Sequence, residues 1–121
     1  VKGVNTSNTQ YVTDMFTDCK TLKTVEMPFD LSNCLTSSSG SIKMFGNGGT
    51  TLETIRFVSE TIHINFFAGG CENLTDESIQ SIIDGLATVE TQQTLTLASG
   101  ILEKLTDEQW ATMDAKKWTA G

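Results

Sequence analysis

The chain has 121 residues, enough for one domain with a real core and too few for two independent ones. Fifteen acidic against eight basic residues leave a formal net charge of −7, and no Lys/Arg cluster could track a phosphate backbone, which argues against nucleic acid as a partner. An anionic membrane surface would repel such a chain, and no apolar run approaches the roughly 20 residues needed to cross a bilayer, so membrane insertion is not expected.

Hydrophobic residues make up 38 % of the chain and charged residues 19 %, with Thr, Ser, Asn and Gly crowding the remainder and a single Pro present. This composition suits strands and turns better than helices. The opening Val1-Lys2-Gly3 has neither an initiator Met nor a signal-peptide core, the look of a processed chain or of a piece of something longer. Cys19, Cys34 and Cys71 are too few and too unevenly spaced for a disulfide framework and contain no Cys-x-x-Cys pair, which favours buried thiols.

Taken in chain order, alternation predicts strands at Thr24–Met27 and Thr54–Phe57. Between them, Thr36–Ser41 and Gly46–Gly49 read as loops. Thr61–Asn65 alternates too, with Ile62 and Ile64 on one face and Thr61, His63 and Asn65 on the other. A helix follows: Thr75 precedes Asp76 and Glu77, and Ile79, Ile82, Ile83 and Leu86 recur at helical spacing. Gly85 costs about 1 kcal/mol relative to Ala in a helix interior, which puts the helix end near Ala87 or Thr88. After a loop at Gln92-Gln93, Thr94–Leu97 predicts a strand. Thr106 and Gln109 fit a capping box for a second helix carrying Trp110 and Met113, and a short terminal strand falls at Trp118–Ala120.

Several phrases occur twice. Met15-Phe16 through Leu22, Val25 and Met27 is echoed by Met44-Phe45 through Leu52, Ile55 and Phe57, with the leucines 30 residues apart. Leu74-Thr-Asp-Glu77 returns as Leu105-Thr-Asp-Glu108 at a distance of 31. Such a pitch signals stacked repeats, in which a strand buries its apolar face by lying beside the strand of the next repeat, giving a parallel sheet with helices or turns behind it. One domain over residues 1–121 is expected, with irregular repeats in 1–73 and a helix-strand-helix-strand arrangement in 74–121.

Chemistry-bearing residues do not converge. His63 is the only histidine, and neither Ser59 nor Glu60 beside it stands in a nucleophile-elbow context, so an ordinary polar strand residue is the plainer reading. One His and three scattered Cys lack the close ligand pairs of a zinc site. Asp14 and Asp18, Asp76-Glu77 and Asp107-Glu108 form no calcium loop, and the last two pairs have a helix-dipole explanation. Gly46-Asn47-Gly48-Gly49 lacks the Gly-Lys-Ser/Thr ending of a phosphate loop and runs into a strand. No catalytic residue, metal or cofactor is therefore expected. The better candidate is the polar strand face. With Val25, Ile55, Ile62, Leu95 and Leu97 inward, the residues Lys23, Thr24, Glu26, Thr54, Arg56, Thr61, His63, Thr94 and Thr96 would make one continuous ladder able to bind a protein or glycan. The solvated side of a half-buried sheet would look the same.

Asn5-Thr6-Ser7-Asn8, then Val12-Thr13-Asp14-Met15-Phe16, Cys19, Leu22 and Val25 resembles the repeat of BspA-like leucine-rich-repeat proteins. Leu74 through Leu86, Thr94–Leu97, Leu105–Gln109 and Lys117-Trp118-Thr119 is similar to a C-terminal module of leucine-rich-repeat proteins from gut Firmicutes and their phages. The resemblance implies an α/β fold: a short leucine-rich-repeat-like right-handed solenoid with a parallel sheet on one side and helices or turns on the other. It also implies an extracellular, cell-surface or virion-associated protein that binds rather than catalyses. The Gly-rich insertion and residues 58–73 depart from a regular repeat. Cys19 and Cys71 each precede a leucine by three residues, a position that leucine-rich repeats fill with Asn or Cys turned into the turn. In such a protein the sequons at Asn5 and Asn73 carry little weight, and Trp110 and Trp118 read as the apolar cap of the last repeat. The alternative is an architectural module that caps or assembles a longer protein and self-associates through an N-terminal edge at Val12 and Met15.

Overall fold

The computed structural model describes residues 23–34, 42 and 51–120. The expectations for Asn5–Leu22, including Cys19, for the loops at Thr36–Ser41 and Gly46–Gly49 and for Met44 lie outside the described residues. The fold is mixed α/β, with strands β1 (Thr24–Phe29), β2 (Thr54–Phe57), β3 (Phe66–Ala68), β4 (Gln93–Leu97) and β5 (Trp118–Ala120) and helices α1 (Asp76–Gly85), α2 (Ser99–Leu102) and α3 (Asp107–Ala115).

Four of the five strands stand where alternation predicts them. β1 runs two residues further than expected, through Pro28, where its register against β2 shifts. Proline has no N–H for a ladder and settles at such irregularities, here exposed while Val25 and Phe29 are buried. In β2, Ile55 and Phe57 point inward and Arg56 outward.

The exception is Thr61–Asn65, which is not a strand. Ile62 makes an isolated parallel bridge to Leu86, and the strand lies just beyond, at β3. Two local features break the expected strand: Glu60 before it has φ 58°, and the Asn65 side chain turns to the backbone of Thr94 instead of continuing the alternation.

Among the described residues the strands form two sheets, β1-β2 and β3-β4-β5, and every pairing is parallel. Partners such as Thr24 and Thr54, Phe66 and Leu95, or Leu95 and Ala120 stand 25 to 30 residues apart. The isolated bridges Ile42–Phe66 and Ile62–Leu86 are also parallel, at a separation of 24. One hydrophobic core runs from Val25 to Trp118. Phe57 ties the two sheets together, with its ring centroid 6.1 Å from that of Phe29 in β1 and 5.5 Å from that of Phe66 in β3, the latter edge-on.

α1 starts at its Thr75 cap, which accepts from the Ser78 N–H, and buries Ile79, Ile82 and Ile83. It ends at Gly85, earlier than the expected Ala87 or Thr88, because the next residues are drawn into the bridge with Ile62. The Ile62 N–H donates to Gly85 O and the Ala87 N–H donates to Ile62 O. α2, four residues around buried Ile101, is too short to leave a periodic signal. α3 has the expected capping box between Thr106 and Gln109. Its buried stripe is Gln109 and Met113, one turn apart. Trp110 stands about 100° further round the helix and is 39 % exposed, so it is not part of an apolar cap. Trp118 is buried, and its indole N–H donates to Ala87 O at 2.8 Å.

Candidate functional site

The continuous polar ladder expected from sequence is divided. On the β1-β2 sheet, Lys23, Thr24 and Arg56 are exposed and Thr54 is half-buried. Lys23 also closes the sheet end, its carbonyl accepting from the N–H groups of Glu53 and Thr54 at 2.8 and 2.9 Å. Glu26 belongs to β1, and its side chain lies outside the description. Thr94 and Thr96 stand half-buried on β4, in the other sheet, opposite Thr119 and Phe67 respectively. Two residues leave the ladder altogether. Thr61 is buried, its hydroxyl donating to Val58 O at 2.9 Å. His63 is half-buried beyond the Ile62 bridge, with its Nε2 buried and lacking a hydrogen-bond partner.

The edge of β2 is sealed by a helix. Where a third strand would offer carbonyls, α1 offers serines: the Ile55 N–H donates to Ser78 Oγ at 3.1 Å and the Phe57 N–H to Ser81 Oγ at 2.9 Å. Ser78 Oγ donates onward to Glu53 O at 2.8 Å and meets Thr75 Oγ1 at 2.9 Å, so its one proton and both lone pairs can be used.

A groove of about 400 Å³ lies between β2 and α1. Arg56 and Ser59 stand on the strand side, and Glu77, Gln80, Ser81 and Asp84 on the helix side. It is shallow and open to solvent. Gln80 is held at both ends of its amide, with Nε2 donating to Asp84 Oδ1 and Oε1 accepting from Gln109 Nε2, both at 2.9 Å. The second bond links α1 to α3 beside a smaller groove of about 270 Å³, where Lys104 approaches Asp76 at 3.8 Å.

A second pair of amides links β3 to β4. The Asn65 N–H donates to Gln93 Oε1 at 3.0 Å, and the Thr94 N–H donates to Asn65 Oδ1 at 2.8 Å. These residues, like Ser78 and Ser81, have no motif in the sequence. The available signal was a polar side chain at an otherwise apolar register, Ser78 on the buried stripe of α1; Asn65 sits on the polar register of its segment and gave none.

Cys34 and Cys71 are fully buried. Burial, reinforced by the charge of Asp30, pushes the Cys34 thiol up to about 11. Among the described residues, no three His, Cys, Asp or Glu side chains gather where a metal ion could sit, and no helix is long and apolar enough to cross a membrane. Comparison with protein-family models, with curated proteins and with solved structures returns no match.

Proposed function

We propose that the chain is a short leucine-rich-repeat-like right-handed solenoid that acts as a non-catalytic interaction module of a bacterial surface or phage tail-associated protein. The observation that carries this reading is the pairing: among the described residues every strand contact is parallel and joins residues 24 to 30 apart, near to or a little short of the 30 and 31 that separate the repeated phrases. The side chains keep the same step. Asn65 meets Gln93, Gln80 meets Gln109, and Trp118 reaches Ala87, at separations of 28, 29 and 31. Stacked repeats place like residues of successive turns side by side in this manner.

The row Lys23, Thr24, Thr54 and Arg56 is the proposed binding face for a protein or glycan on a cell surface, with Glu26 on the same strand. Thr94 and Thr96 form a second, separate row. Exposed polar residues on a rigid sheet can take part in recognition without changing stability when replaced. The test is binding of the labelled chain to arrays of purified glycans and surface proteins, followed by Arg56→Glu on any hit. Loss of binding with an unchanged Tm is expected. A hit that binds Arg56→Glu equally well removes the β1-β2 face from the reading.

The architectural alternative expects association through an N-terminal edge at Val12 and Met15, which lie outside the described residues; among the described residues β5 is an edge strand of its sheet, beside a helix that exposes Trp110, and supports association at the other end. Under that reading the chain associates at high concentration. Sedimentation as a monomer at millimolar protein would count against it.

A further inference from the structure

We propose that the groove between β2 and α1 receives a peptide segment of a protein partner in which a basic side chain stands beside an acidic one; this rests on the reading of the chain as an interaction module. The groove exists because the β1-β2 sheet gives way to a helix. A strand would lie about 4.8 Å from β2, whereas a helix with its side chains is roughly 10 Å across, so the outward side chains of α1 stand off from those of β2 and leave a trough.

The walls of the trough carry opposite charge. Arg56 is exposed on the strand side; Glu77 and Asp84, both exposed, stand on the helix side seven residues apart, hence about 10 Å along its axis. Among the described residues no ion pair joins Arg56 to either carboxylate, so both signs remain available to an incoming chain. The polar groups between them are already committed: Ser81 holds the Phe57 N–H, and Gln80 is bonded at both ends of its amide. What remains to recognise a ligand is the Arg56 guanidinium on one wall and, on the other, the Glu77 carboxylate and the Asp84 oxygen that Gln80 leaves open.

That arrangement selects for mixed charge. A purely anionic segment would meet Glu77 and Asp84 as well as a chain of net charge −7, and a purely cationic one, though drawn by that charge at long range, would place its second cation against Arg56. The open trough cannot enclose a metabolite, since pockets for small molecules bury most of their ligand. It can admit side chains that project from a partner's surface.

The test uses the 15N-labelled 121-residue chain and three capped tetrapeptides, Gly-Lys-Glu-Gly, Gly-Lys-Lys-Gly and Gly-Glu-Glu-Gly, titrated at about 0.15 M salt, where the net charge of the chain is screened beyond about 8 Å. The Lys-Glu peptide is expected to shift the amides of Arg56, Ser59, Glu77 and Asp84 in a saturable way, and both like-charged peptides to bind about tenfold more weakly, a difference set by the charge pairing. Arg56→Gln and the double variant Glu77→Gln/Asp84→Asn should each weaken the Lys-Glu peptide by a similar factor while leaving Tm unchanged. Equal binding of the Lys-Lys peptide, or no localised shift with any peptide, overturns the proposal. Shifts confined to Lys23, Thr24 and Thr54 overturn the groove and leave the sheet-face reading standing.

Discussion

Gly85 shows how one residue can be costly by a general rule and correct in its place. In a helix interior glycine is worse than alanine by about 1 kcal/mol, yet a Cβ at Gly85 would stand 2.9 Å from Phe57 Cβ and 3.2 Å from Ile62 Cδ1. The helix reaches β2 this closely only without a side chain there. Gly85→Ala is therefore expected to lower stability by about 1–3 kcal/mol, the usual cost of overpacking, in spite of the gain in propensity; urea denaturation measures it, and a stabilised variant would mean that α1 can shift freely. Cys34 makes a prediction in pH. Its thiol is raised to about 11 from an ordinary value of 9.0, so as pH climbs through that window the unfolded chain gives up this proton while the folded one keeps it. Stability should fall between these two values and not before. Cys34→Ala should flatten this part of the profile, whatever its effect on stability at neutral pH. Alkylation mapped by mass spectrometry should find Cys34 slow in the native protein at pH 8.

At the scale of elements, the α1–β2 contact is held by hydroxyls. Ser78→Ala leaves the Ile55 N–H buried without its acceptor and removes a donor from Glu53 O, which should cost about 1–3 kcal/mol. Ser78→Thr keeps the hydroxyl but adds a methyl at a buried site, so a milder loss is expected. If Ser78→Ala is as stable as the native chain in thermal unfolding, water or a shifted backbone takes over the bond and the sealing role falls. The elements also show where sequence reading succeeds and where it stops. β2 and β5 were readable to the residue because their alternation has a period of two and their ends are plain. The capping box of α3 was readable because its two reciprocal bonds join residues three apart, Thr106 N–H to Gln109 Oε1 and Gln109 N–H to Thr106 Oγ1. The grouping of strands into two sheets was not readable. Ile62 and Ile64 alternate as well as any strand here, and what interrupts the ladder is Glu60 at positive φ together with Asn65 Oδ1, which accepts from the Thr94 N–H 29 positions away. The groove was half visible: Arg56 was a candidate from its register and Glu77 had a helix-dipole explanation, while nothing in the sequence sets Gln80 and Asp84 against β2.

On the scale of the whole molecule, one core and one pattern of pairing join both sheets, so unfolding should be a single transition. In Trp110→Phe, fluorescence of buried Trp118 and far-UV circular dichroism should melt together in urea; separate midpoints would divide the chain into independently stable parts. Almost no hydrogen bond between strands is local, since each strand waits for a partner roughly 25 to 30 residues further along. Folding should accordingly be slow for a domain of this size, in the millisecond-to-second range of chains dominated by distant contacts. The same pairing has a mechanical side. β5 is tied to the rest by its ladder with β4, by the Trp118 indole and by the reach of Lys116 to Ile83 O and Asp84 O. Tension applied at the C-terminal end loads those few bonds first and then the anchors of α2 and α3, buried Ile101, Leu105 and Met113 and the Gln80–Gln109 bond. Once both sets part, the 23 residues from Ala98 to Ala120 pay out, about 80 Å at the extended length per residue. A pulled chain should therefore yield in a discrete step from its C-terminal end, behaving under load as a short shock absorber.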